Sequence, residues 1–223
     1  MSQTTTLRSV EIPDGRARLN ADLRMPEHPF ALVIFAHGSG SSRLSARNRQ
    51  VAEALDDAGL ATLLLDLLTR EEESVDQFTR EFRFDIQRLG RRVIAAADWA
   101  IEQPDLRTLP IGYFGASTGA AAALIAAAER PGRSRAVVSR GGRPDLAAGA
   151  LPLVQAPTLL IVGGNDAPVV ELNEEAMQQM RAPTLLEIVP GATHLFEEPG
   201  TLEQVSRLAI DWFETHLRRP TSK

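Results

Sequence analysis

Apolar residues fall along this chain in two rhythms: short, nearly unbroken runs, and longer stretches in which apolar positions recur every three or four residues. The first rhythm belongs to strands buried on both faces, the second to helices with one buried side. Residues 30–37, Phe-Ala-Leu-Val-Ile-Phe-Ala-His, open into Gly-Ser-Gly-Ser-Ser and predict such a strand. Residues 61–65 predict a second, ending at Asp66, and 111–114, 136–139, 158–162 and 185–189 predict four more. Between them, Val51, Ala54, Leu55 and Ala58 mark one face of a helix over 49–58 that stops at Gly59. Further helices are expected over 119–129, 171–180 and 202–217. A polar segment, 70–76, leads into the longest one, where Phe78, Phe82, Ile86, Leu89 and Val93 share a face and the helix runs on to Gln103, with Gly90 dividing it. That face is expected to pack on the sheet; the alternative is that Phe82 or Phe84 reaches a substrate pocket. Residues 9–12 and 17–25 predict a hairpin turning at Asp14-Gly15.

Strand, helix, strand repeated in this way predicts an α/β architecture: a mostly parallel twisted sheet of about seven or eight strands with helices on both faces. No linker, repeat or low-complexity block divides the 223 residues, and 141–157 is the loosest stretch, too short for a boundary. The expectation is one domain spanning 1–223, with no large lid domain.

Composition narrows the chemistry. There is no cysteine, which removes thiolate nucleophiles, disulfides and Cys-ligated metal centres. All but one of the 24 basic residues are arginine, the exception being Lys223 at the last position, so Schiff-base and phosphate-loop chemistry lose their usual residue. A net charge of −5 and 5% aromatics argue against a nucleic-acid partner. No apolar run is long enough to span a bilayer, and the first residues lack a basic-then-apolar signal. The expected location is cytoplasmic, away from membranes.

In an open parallel sheet, ligands bind beyond the carboxyl ends of the strands, so the polar residues that follow each strand matter most. They are His37 to Ser42, Asp66, Ser117, Arg140, Asp166 and His194. Ser117 lies in Gly115-Ala-Ser-Thr-Gly119, between an apolar strand and an Ala-rich helix. A sharp strand-to-helix turn there strains the serine backbone, requires tiny residues two before and two after, and exposes the hydroxyl. The alternative is a helix-capping serine. Asp166 closes Thr-Leu-Leu-Ile-Val-Gly-Gly-Asn-Asp and would by itself be read as a helix cap or turn residue. His194, in Pro-Gly-Ala-Thr-His, follows the last strand. The order Ser, Asp, His supplies a nucleophile, an orienting acid and a base, each after a different strand. Of the other histidines, His28 and His216 are expected at the surface, and His37 is the one competing base.

These motifs, with His37-Gly-Ser-Gly-Ser-Ser, resemble the α/β-hydrolase superfamily over residues 9–217, and the absence of a lid-sized insertion resembles its dienelactone-hydrolase-like branch. Ser-Arg140-Gly-Gly-Arg-Pro-Asp-Leu and Leu-Phe-Glu-Glu-Pro-Gly resemble a subgroup of that branch sometimes joined to a phosphoribosyltransferase domain, which is not read in these residues. The resemblance implies the α/β-hydrolase fold, a Ser117–His194–Asp166 triad, and an oxyanion hole formed by the N–H of Thr118 and a second N–H from Gly38, Ser39 or Gly40, with Ser39 favoured. It also departs from its namesake: dienelactone hydrolases carry cysteine where this chain has Ser117. His37 is then expected to order its loop. His37, Gly38, Arg43 and Arg140 are expected to line the pocket, and Arg43, Arg140 or Arg143 could bind a substrate carboxylate, although chance placement weighs more in so arginine-rich a chain.

The expected function is a serine hydrolase cleaving carboxylic esters of small or short-acyl substrates through an acyl-enzyme, with no cofactor and no metal. The expected partner is a small-molecule ester; oligomeric state is not legible. Alternatives are thioester hydrolysis or acyl transfer on the same triad, and a non-catalytic binding module.

Overall fold

The computed structural model describes residues 4–218; residues 1–3 and 219–223, Lys223 among them, lie outside the described residues. Eight strands form one sheet: β1 (Thr5–Asp14), β2 (Ala17–Pro26), β3 (Ala31–Ala36), β4 (Leu60–Leu65), β5 (Ile111–Ala116), β6 (Ser134–Arg140), β7 (Thr158–Gly163) and β8 (Thr184–Val189). Their spatial order is β1-β2-β4-β3-β5-β6-β7-β8. The β1–β2 hairpin runs antiparallel to its neighbours and turns at Gly15, where Asp14 faces Ala17; every later pairing is parallel.

Each central strand is buried along its whole length, and its side chains alternate between two cores. Leu32, Ile34 and Ala36 of β3 enter the core covered by α3 (Ile86–Glu102) and the Ala-rich α4 (Thr118–Glu129). Ala31, Val33 and Phe35 enter the opposite core, covered by α1 (Ala46–Asp57) and α6 (Thr201–Leu217). α5 (Ala167–Gln179) sits beside β7 and β8, adding Ala176 to the first core. The strands predicted from continuous apolar runs all form, but β8, at the sheet edge, is only half-buried and leaves Leu185 and Ile188 exposed. Helices α1 and α5 begin about one turn earlier than expected, because their first turns carry caps and Pro168 rather than apolar periodicity.

The long helix expected to contain Phe78 and Val93 on one face is two helices. α2 (Arg70–Thr79) ends at Arg80 in a left-handed conformation (φ 58°), and α3 starts after Asp85, whose carboxylate accepts the Arg88 N–H. Between them, the Asp76 carboxylate accepts the N–H groups of Phe82 and Arg83 at 2.7 and 3.0 Å, offering those donors a local alternative to a helical ladder. The even spacing of Phe78, Phe82 and Ile86 across this break is coincidental, and Phe78 is 83% exposed. The polar residues 70–76, read as a lead-in, are α2 itself, opened by a Thr69–Glu72 capping box. Gly90 does not divide α3: it lies against Ile125 of α4, where a Cβ would clash, and allows the two helices to pack closely.

Candidate active site

Ser117 stands at the junction of β5 and α4 with φ 51° and ψ −121°, a region that side-chain-bearing residues avoid. Three hydrogen bonds hold it there: its N–H donates to Arg140 O (3.1 Å), and its carbonyl accepts from the Ala120 and Arg143 N–H groups (both 3.1 Å). The flanking glycines are steric requirements of the same turn. A Cβ at Gly115 would strike the backbone of Ala120, and one at Gly119 the carbonyls of Ala36 and His37. Ser117 occupies the N-cap position of α4 but makes no side-chain capping bond. The capping alternative therefore fails for its hydroxyl.

That hydroxyl points at His194. The Ser117 Oγ lies 3.3 Å from His194 Nε2, and His194 Nδ1 lies 2.6 Å from Asp166 Oδ2. Asp166, too, occupies an N-cap position, that of α5, without making the capping bond; its carboxylate goes to the imidazole instead. The loop carrying His194 is tied down on both sides. Glu198 receives the N–H and hydroxyl of Thr193 at 3.1 and 2.6 Å, and the Asn165 side chain donates to Gly191 O at 2.9 Å. Phe196, with φ 55°, anchors the loop by burying its ring in the core on the α1–α6 side. Three residues far apart in sequence thus form one hydrogen-bonded line at the carboxyl ends of β5, β7 and β8.

His37 lies elsewhere and in a fixed tautomer. The Leu67 N–H donates to its Nε2 (3.0 Å), so Nδ1 carries the proton and donates to Gly38 O at 2.8 Å. Burial pulls its pKa below the ordinary value near 6.5, outweighing the Gly38 carbonyl and the charges of Asp66 and Glu73. With its lone pair engaged, the imidazole ties the loop after β3 to the loop after β4 and has nothing left with which to accept a serine proton.

Thr118, at the first position of α4, has a backbone N–H with no intrahelical acceptor. The Ser39 N–H faces it and donates to Thr118 Oγ1 at 2.8 Å. His37, Gly38, Ser39 and Gly40 line a hollow together with Leu67, Asp76 and Arg83. Two of the expected lining residues are not in it. Arg43 is held by Asp66, through its backbone N–H and through an Nη1 bond of 2.5 Å, with Asp22 at 3.4 Å. Arg140 belongs to the strand face that packs on α1, and its Nη2 donates to Asn48 Oδ1 at 3.3 Å. Arg143 forms a two-pronged pair with Asp145. Phe84, offered with Phe82 as the alternative that reaches a substrate pocket, is exposed.

One network beside the hollow escapes a reading by apolar pattern. Arg92 of α3 is buried; it pairs with both oxygens of Glu72 at 2.6 and 2.7 Å, donates to Leu67 O at 2.6 Å and reaches Asp14 at 3.3 Å. It fastens α2, the loop after β4 and the hairpin turn together. Its legible trace is Thr69-x-x-Glu72, the sequence form of the capping box.

Comparison with known proteins places this arrangement. The model of the dienelactone hydrolase family matches residues 19–217. A Mycobacterium tuberculosis H37Rv protein named "Putative phosphoribosyl transferase" is 57% identical over 211 residues, covering 95% of this chain and 47% of that protein. The chain thus spans about half the length of such curated relatives. Among solved structures, a dienelactone hydrolase from Anabaena variabilis superposes with a TM-score of 0.94 at 56% identity, covering 96% of this chain and 99% of that one. Est1E from Butyrivibrio proteoclasticus shares the fold at a TM-score of 0.78 with 18% identity, over 93% and 98% of the two chains. By the family match and these relatives, the chain belongs to the dienelactone hydrolase family.

Proposed function

We propose that the protein is a serine hydrolase of carboxylic esters with small or short acyl groups, acting through Ser117, His194 and Asp166. The observation that carries this reading is the continuous line Asp166 Oδ2–His194 Nδ1, His194 Nε2–Ser117 Oγ, built from two helix-cap residues whose side chains forgo capping. His194 Nε2 takes the Ser117 proton as Oγ attacks the ester carbonyl, and Asp166 keeps Nδ1 protonated and stabilises the imidazolium. The carbonyl oxygen, now negative, is held by the Thr118 N–H and the Ser39 N–H. Thr118 Oγ1 keeps the second donor aimed until substrate displaces it. Each such donor is worth about 10²–10³ in rate. The tetrahedral intermediate expels the alcohol, which receives its proton from His194. Water, deprotonated by the same imidazole, then attacks the acyl-serine and returns the free enzyme and acid.

The same triad would serve thioesters, with a thiol as leaving group. The transferase name of the Mycobacterium tuberculosis relative belongs to a protein about twice as long, of which this chain covers 47%. Nitrophenyl esters of increasing acyl length test the proposal. Turnover is expected with acetate and butyrate, declining for long chains, with a pre-steady-state burst of one nitrophenol per chain. Asp166→Asn should lower kcat by about 10⁴. Absence of turnover across the series would contradict the ester assignment, and preference for the longest chains would contradict the short-acyl one.

A further inference from the structure

Among the described residues, Arg140 is a charge buried without a counter-charge. Its side chain is 7% exposed, no ion pair involves it among the described residues, and its Nε and Nη1 have no hydrogen-bond partner. Its contacts are neutral: Asn48 Oδ1 at 3.3 Å and the face of Phe196, whose centroid is 6.0 Å from the guanidinium carbon. The carboxylates of this region are spoken for, Glu197 by Arg47 (3.0 Å), Asp166 by His194 and Asp66 by Arg43. Arg47 is the neighbouring residue of Asn48, and its Nε is likewise enclosed without a partner. Burial, aggravated by the Arg47 charge, pulls the Arg140 pKa down to about 10, so the group is still a cation at neutral pH.

A buried charge survives only when paired, because desolvation is otherwise too costly. Here the protein supplies orphaned donors on Arg140 and, among the described residues, no carboxylate to meet them, because the one nearby anion, Glu197, is taken by Arg47. We propose that Arg140, with Arg47, binds a small monovalent inorganic anion of the halide class. The site lies on the α1 side of β6. Such an ion would complete the guanidinium's hydrogen bonds and offset the repulsion between the two arginines. It would also lock Asn48 of α1 to Phe196, and so to the loop bearing His194. The site is independent of the ester assignment.

Bromide is the probe. Crystals of the wild-type protein grown in bromide should show an anomalous peak within hydrogen-bond reach of Arg140 Nε or Nη1. In solution, at ionic strength fixed with gluconate, exchange of gluconate for bromide should raise the wild-type Tm by about 3–6 °C at ten times the dissociation constant. Arg140→Met should abolish this rise. Should that variant fail to fold, Arg47→Met, whose side chain is partly exposed, should weaken the bromide dependence by at least tenfold. An ordinary water at the site without anomalous signal would overturn the proposal, as would a bromide response retained in these variants.

Discussion

At the scale of single residues, the site is decided by where side chains decline the bonds their positions offer. Ser117 and Asp166 both sit at helix N-caps, where a serine or aspartate commonly bonds the backbone, and neither does so. Each hydroxyl or carboxylate instead faces His194. The sequence could name these three residues because each directly follows a strand; it could not choose the second oxyanion donor, since Gly38, Ser39 and Gly40 differ only in loop geometry. The Ser39 N–H faces Thr118, donating to its Oγ1, and this contact is why the proposed function assigns the second donor to Ser39. Arg43 and Arg140 were legible as basic residues near the site but not as residues turned away from it, because their partners Asp22, Asp66 and Asn48 are set by tertiary packing. His37 carries a pH prediction. Its native form resists protonation, whereas the unfolded chain takes up a proton near the ordinary value of 6.5. The stability of the neutral imidazole is therefore complete above pH 6.5 and is lost as pH falls below it, by at most about 1.4 kcal/mol per pH unit. Melting profiles between pH 7 and 5 should be steeper for the wild type than for His37→Asn. Parallel profiles would contradict the buried neutral tautomer.

At the scale of elements, apolar runs identified every central strand, since a strand buried on both faces leaves an unmistakable pattern. The error over residues 78–93 has an equally physical origin: helical spacing persists across a break imposed by one carboxylate, Asp76, and a left-handed Arg80. Periodicity reports which side is apolar, not whether the backbone is continuous. The α2 segment that results is held by polar contacts more than by its own apolar face, which leaves Val75 and Phe78 exposed. Glu72→Gln should leave the buried Arg92 with Asp14 as its one carboxylate among the described residues, costing about 2 kcal/mol. Hydrogen exchange should then accelerate in α2 ahead of the sheet. Unchanged exchange across residues 70–79 would show that Arg92 does not hold this helix.

At the scale of the whole molecule, one eight-stranded sheet with a core on each face implies a shared fate for its elements. Calorimetry and far-ultraviolet circular dichroism should report one coincident unfolding transition, and two separated transitions would contradict a single cooperative unit. The composition acquires its meaning at this scale too. The chain has no thiol anywhere, so the nucleophile its geometry offers is a hydroxyl that depends wholly on a neighbouring base. On the function proposed above, Ser117 is this nucleophile. Intact-mass measurement after treatment with a fluorophosphonate tests it most directly. One phosphonyl adduct per chain, mapped to Ser117 and absent in Ser117→Ala, is the predicted result; an unlabelled wild type, or equal labelling of the variant, would contradict it.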